Sequence, residues 1–267
     1  MNIKVLCLGL CALGILNAQA QAQLYIEQAK VTLSVSGGEH TNGSILVHNT
    51  TSDSISVRVY WEDFEYKAPY DGGKNFLPAG TAPGSASQWV SFSPQEFTIP
   101  GFGQQKIDYT VTVPSVIQEG HYGVLFFERS SLSKINNDEV NLVTRLGSLF
   151  FIEPNNKSKK AVIQDIDLKG NSLTVNFVNQ GNVILIPHTT YYIMQTGGLV
   201  LLRGEAKNLY VSPGVSAPLE IPLKKQLNPG QYTLVVNSDL DEGDVVVKEI
   251  GLNVDASGQL AIESAQN

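Results

Sequence analysis

Cysteine is almost absent from this chain: the two present, Cys7 and Cys11, both lie within the first eleven residues. Beyond them no disulfide can form, so the folded part must rest on a hydrophobic core and not on cystine staples. Long apolar runs are missing too. The longest, Val5 to Leu16, has about a dozen residues, short of the roughly 20 that a membrane-spanning helix needs. No stretch sustains a helical apolar period for more than two turns. Basic residues are outnumbered, 18 Lys and Arg against 25 Asp and Glu, for a formal net charge of −7. That balance argues against nucleic acid as a partner.

Reactive constellations are equally scarce. His40, His48, His121 and His188 do not fall into the spaced pairs of a zinc site. There is no G-x-S-x-G elbow, no phosphate-binding loop and no dinucleotide glycine pattern. Glu62 and Asp63 are adjacent on an expected strand and point to opposite faces, so they cannot act as an acid/base couple. Asp239-Leu-Asp-Glu-Gly-Asp244 opens like a calcium loop. Its glycine comes one place early and no glutamate stands at the far ligand position, so it reads as a solvated hairpin turn. The expectation is a non-enzymatic protein with no cofactor and no metal.

Export and strands are what the sequence does show. Lys4, the apolar run after it and the small-residue stretch Asn17–Gln23 (NAQAQAQ) have the three parts of a secretory signal peptide over residues 1–22. The expected setting is periplasmic or secreted. Short segments rich in Val, Ile, Thr, Tyr and Phe then recur, punctuated by Gly, Pro, Asn and Asp. Ile55, Val57, Val59 and Trp61 share one face of SISVRVYWEDF. Ile107, Tyr109, Val111 and Val113 share one face of KIDYTVTVP. This period of two belongs to half-buried antiparallel strands.

The expected fold is all-β, with two immunoglobulin-like β-sandwich domains in tandem. The first spans 23–154 and the second 161–254, joined by a polar linker at 155–160. Residues 255–267 read as a disordered tail. The two halves rhyme: VHNTTSDS and VNFVNQGN each lead a strand into an Asn-containing turn. The segment 65–88, rich in Pro, Gly, Ala and Ser, is long for a loop and reads as functional or mobile.

Two segments carry a family likeness. EVNLVTRLGSLFFIEP alternates apolar residues, passes a basic one and ends in an aromatic run closed by Glu153-Pro154. YIEQAKVTLSVSGGE places Lys30 near the start of the expected mature chain. Together with HNTTSDSISVRVYW they resemble the PapD-like periplasmic pilus-assembly chaperones, which have two immunoglobulin-like domains. That resemblance implies a partner, a secreted fibre or pilus subunit bound by donor-strand pairing through an extended β-strand. It implies that Val140, Leu142 and Leu146 fill the subunit's groove. It also implies that Lys30 and Arg145, close together in an interdomain cleft, hold the subunit's C-terminal carboxylate. Thr144 interrupts the apolar series, and Arg145 fits the family's basic position only if Gly147-Ser148 is an insertion.

A second reading is an extracytoplasmic binding or adhesion module of the cell surface or matrix. The Tyr109-Thr-Val-Thr-Val-Pro114 strand and the glycine-led strand after it are similar to bacterial cell-wall-interacting proteins of the WxL-interacting type. In that reading Tyr66, Tyr70, Phe76 and Trp89 form the contact surface. Proteins of that type usually carry a membrane anchor, and none is expected in this mature chain.

Overall fold

The computed structural model describes residues 24–135, 138–169, 172–223 and 227–263. The expected signal peptide lies outside them. Among the described residues there are strands and no helix. The first ten are β1 (Leu24–Ile26), β2 (Lys30–Val35), β3 (His40–Asn49), β4 (Ile55–Tyr66), β5 (Lys74–Pro78), β6 (Val90–Ser93), β7 (Glu96–Ile99), β8 (Gln104–Thr112), β9 (His121–Ile135) and β10 (Asp138–Pro154). They build one sandwich. One sheet runs β1-β3-β8-β6, and the other runs β2-β10-β9-β4-β5 with β7 also paired to β4. The alternating residues Ile55, Val57, Val59, Trp61, Ile107, Tyr109, Val111 and Val113 are all buried in a single core between these sheets.

The remaining strands are β11 (Ala161–Lys169), β12 (Ser172–Asn179), β13 (His188–Gln195), β14 (Val200–Glu205), β15 (Ser216–Pro222), β16 (Gly230–Asp239), β17 (Val245–Val254) and β18 (Leu260–Glu263). They form sheets β11-β12-β15 and β14-β13-β16-β17-β18, which enclose a second core. The chain is therefore two immunoglobulin-like β-sandwiches in tandem.

The structure departs from the sequence reading in places, each with a physical cause. The opening segment YIEQAKVTLSV forms two strands, not one. Leu24 and Ile26 are buried at even positions, whereas Val31 and Val35 are buried at odd ones. A one-residue phase slip turns every side chain over, so the chain changes sheets between β1 and β2. β13 starts at His188, after Pro187. Leu185 makes only an isolated bridge to Val211. The expected disordered tail also needs correction, because Leu260–Glu263 pairs with β17 along Gly251–Val254. β5 and β7 are short: β5 is exposed and carries no alternation, whereas β7 alternates over only four residues and buries Ile99.

The two halves share a buried asparagine device. Asn49 Nδ2 donates to the carbonyls of Asp53 (2.7 Å) and Pro100 (2.9 Å), while its Oδ1 accepts from Thr51 N (3.0 Å). Asn179 Nδ2 donates to the carbonyls of Val183 and Val211, each at 2.8 Å, while its Oδ1 accepts from Gly181 N at 2.8 Å. Each amide closes the turn after a strand and ties it to a second loop, adding a donor to carbonyls there; Val211 O and Pro100 O also accept from Leu185 N and Gly103 N, each at 2.9 Å.

The sandwiches are fastened to one another by direct hydrogen bonds. Ile184 N donates to the Tyr122 hydroxyl at 2.9 Å. Gly120 N donates to Asn182 O at 2.8 Å, and Asn182 Nδ2 donates to Gln118 O at 2.7 Å. Tyr210 N donates to Tyr70 O at 2.8 Å. Ile184 itself is buried in an aromatic cluster on the outer face of the first sandwich, with Phe64, Tyr66, Tyr122, Phe126 and Phe151. Burial pushes the Tyr66 and Tyr122 hydroxyls above the ordinary phenol range, so both stay neutral donors and acceptors.

Two outcomes follow from these bonds. Asn179→Ala removes the donor to the Val183 carbonyl and the acceptor of the Gly181 N–H, while Val211 O keeps Leu185 N; it lowers stability by roughly 1–3 kcal/mol, read as a shift in denaturant midpoint, and an unchanged midpoint contradicts the role assigned. Tyr122→Phe leaves the Ile184 N–H without its acceptor and costs about 1–3 kcal/mol. Its specific signature is faster amide exchange at Ile184 while Val175 and Phe177, inside the second core, stay protected.

Candidate functional site

The hairpin of β9 and β10 is the longest feature of the fold, and its two strands are not equally covered. β10 pairs with β9 from Asp138 to Ile152 without a register break. On its other side β10 pairs with β2 only from Leu149 to Pro154. Among the described residues, the stretch from Asp138 to Ser148 therefore has a strand on one side alone.

The direction of the unpaired groups follows from the ladder. Leu149 N donates to Ala29 O, on the β2 side, at 2.9 Å. In an antiparallel pair both backbone groups of a residue point the same way, and the direction alternates along the strand. The N–H and C=O groups of Val143, Arg145 and Gly147 thus face the open side. Those of Thr144, Leu146 and Ser148 are turned to β9. Such an edge is a template for one more strand.

Leu146 packs against the edge of the first core. Val140 and Leu142 occupy register positions of the same parity on β10, and their side chains lie outside the described residues. Thr144 and Val143 are exposed, Val143 at 54 %.

Lys30 opens β2 beside Leu149, where the bare edge ends. Its Nζ lies 4.0 Å from the Phe151 ring centroid, and it has no ion-pair partner among the described residues. With Thr32, Phe151, Glu153, Lys157 and Lys159 it lines a cleft of about 190 Å³ between the sandwiches. The opposite wall comes from Ile184–Ile186 and from the turn at Leu240–Glu242.

The structure does not bring Arg145 to Lys30. Arg145 sits four residues before Leu149, about 13 Å along the strand at ~3.3 Å per residue. Its guanidinium is 4.3 Å from the Phe126 ring and 5.2 Å from the Phe76 ring, and Nη1 reaches the Glu62 carboxylate at 3.3 Å. The Tyr60 hydroxyl, then Glu62 and Glu128, hold it firmly in its charged form. Arg145 is absent from the cleft lining.

The aromatic residues of segment 65–88 and its border turn inward for the most part. Tyr66 is buried and stacks on Tyr210 at 4.9 Å. Tyr70 packs against the second core, and Trp89 lies 3.8 Å from the His121 ring. Only Phe76 is exposed, and Arg145 stacks over it. The Asp63 carboxylate, fully buried, pins the same segment by accepting from Thr81 N (2.8 Å), Ala82 N (3.0 Å) and Ser85 Oγ (2.7 Å). Here the long loop is a strap between sandwiches.

Sequence reasoning missed the linker lysines Lys157 and Lys159 as cleft residues. It also missed that the acidic turn at 239–244 faces them. The run Lys157-Ser-Lys-Lys160 was the available signal, and its polarity read equally well as a spacer.

No family model matches the chain, and no curated protein matches it either. Solved structures do. A chain from the chaperone–tip adhesin complex of CFA/I fimbriae biogenesis matches with a TM-score of 0.54 and 12% identity, over 85% of this chain and 98% of that one. The class 5 fimbriae chaperone CfaA matches with a TM-score of 0.54 and 11% identity, over 85% and 98%. At such identities the likeness is one of fold. The chain thus shares its two-domain immunoglobulin-like fold with these fimbrial chaperone structures.

Proposed function

We propose that this protein is an exported, periplasmic chaperone that captures fibre or pilus subunits by lending them the open edge of β10. The observation that carries the reading is that edge: residues 138–148 of β10 are held by β9 and have no second strand beside them among the described residues. An incomplete subunit sandwich needs one strand to close its core. Main-chain hydrogen bonds to Val143, Arg145 and Gly147 supply affinity, and alternating apolar side chains supply fit. Val140, Leu142 and Leu146 are the groove-filling residues in this reading.

Lys30 sets polarity. It stands where the bare edge stops, collinear with the missing strand. A subunit strand whose C-terminal carboxylate meets Lys30 must end there, so it runs parallel to β10. A charge-assisted bond from the ammonium to that carboxylate fixes register as well as adding affinity. The fold likeness to fimbrial chaperones supports the same conclusion. Nothing in the site combines a nucleophile with a base, which suits a binding protein.

The surface-module reading finds less support, because the aromatic side chains it needs are engaged within the protein.

Val143→Pro is the direct test. Proline deletes an N–H that faces the open side and leaves the bonds to β9 in place. Capture of the secreted β-rich subunit from envelope extracts should fall at least about tenfold, the loss of one or two strand bonds in a dry interface. The melting temperature should move little. Undiminished capture by the folded variant contradicts donor-strand pairing at this edge.

A further inference from the structure

The cleft holds a second feature that the carboxylate reading of Lys30 does not use. Lys157 Nζ lies between two carboxylates, Glu153 Oε2 at 3.7 Å and Glu242 Oε2 at 3.6 Å. Lys159 Nζ donates to Asp241 O at 2.7 Å and lies 3.7 Å from Asp241 Oδ2. The two sides of these pairs differ in burial. The lysine side chains are 26 % and 14 % exposed, whereas Glu242 and Asp241 are 70 % and 88 % exposed. The cations are fixed by packed stems; the anions are loosely held caps. Gly243 lets the turn sit this close, since a Cβ there would come within 2.7 Å of Lys159 Cβ.

We infer that Lys157 is the second cation of the carboxylate site and that Glu242 is a placeholder anion, displaced when a peptide C-terminus enters beside Lys30. This rests on the reading of Lys30 as a carboxylate-binding residue. Three observations support it. Lys30 and Lys157 line the same cleft, and Arg145 does not. An ammonium carries three donors, so Lys157 keeps Glu153 while exchanging Glu242 for the ligand. Glu242 is surface-exposed and its ion pair is long, so removing it costs little. The acidic turn then serves two ends: it balances the cleft's positive charge when empty, and it makes entry selective for a group that carries charge of its own.

The test uses the full mature chain and a synthetic nonapeptide of alternating Val and Thr, made as free acid and as C-terminal amide. Binding is followed by fluorescence anisotropy at low salt. Wild type should prefer the acid. Lys157→Gln should remove most of that preference, as Lys30→Gln does. Glu242→Gln should tighten the acid alone by about two- to fivefold, the size of an exposed ion pair. Arg145→Gln should leave the preference intact. If Lys30→Gln abolishes the preference while Lys157→Gln and Glu242→Gln leave it unchanged, the inference fails and the role of Lys30 stands. If wild type binds acid and amide equally, the Lys30 reading fails and takes the inference with it. Weaker acid binding by Glu242→Gln makes the turn part of the ligand surface and overturns its placeholder role. Glu242→Gln changes one exposed residue, so it remains informative should Lys157→Gln prove unstable.

Discussion

One asymmetry of hydrogen bonding organises the molecule: β10 lies between β2 and β9 from Leu149 to Ile152 and is held by β9 alone, among the described residues, from Asp138 to Ser148. Where β2 covers it, Phe150 and Ile152 are fully buried and the strand belongs to the core. Where β2 has not yet begun, the same strand continues in register with β9 and, among the described residues, has no strand on its other side. An exposed edge is a liability in an isolated protein. Here its limits are sharply set. β2 starts at Lys30, opposite Leu149, and the edge ends there. A cation at the first residue of β2 then marks that point.

The second sandwich matters because it converts that marked point into a cleft. Ile184 leaves its own domain's core and buries itself among Phe64, Tyr122 and Phe151 of the first. Its N–H is tied to the Tyr122 hydroxyl. The strap of residues 66–74 adds Tyr66 on Tyr210, with Lys74 Nζ 4.8 Å from the Tyr66 ring. Burial lowers the Lys74 pKa, and the ring faces beside it attract an ammonium. Interfaces between domains of one chain are often mobile. Aromatic packing and four backbone-anchored bonds instead hold the walls of the cleft in one arrangement, with the linker lysines between them.

Much of this was legible in the residues. Period-two alternation located β4 and β8 and their buried faces, because a half-buried strand writes its pleat directly into the sequence. The Asn rhyme announced equivalent turns, and the structure shows Asn49 and Asn179 making equivalent bonds. Less legible was anything set by pairing between distant segments. Arg145 could be read as a partner of Lys30, since spacing alone does not reveal that Glu62 and two rings lie beside it. The aromatic segment 65–88 read as a contact surface because the sequence does not show that Tyr210 and the second core cover it. The acidic turn and the linker lysines each looked solvated when taken singly. Only the meeting of the two domains makes them one cluster.

Amide hydrogen exchange along β10, resolved residue by residue in the isolated protein and again with a bound subunit, tests the central claim most directly. The account predicts alternation in the free protein: fast exchange at Val143, Arg145 and Gly147, slow exchange at Thr144, Leu146 and Ser148. It predicts that the fast set becomes protected when a subunit strand is added. Uniform protection across residues 143–148 in the free protein, or a fast set that stays fast in the complex, would contradict it.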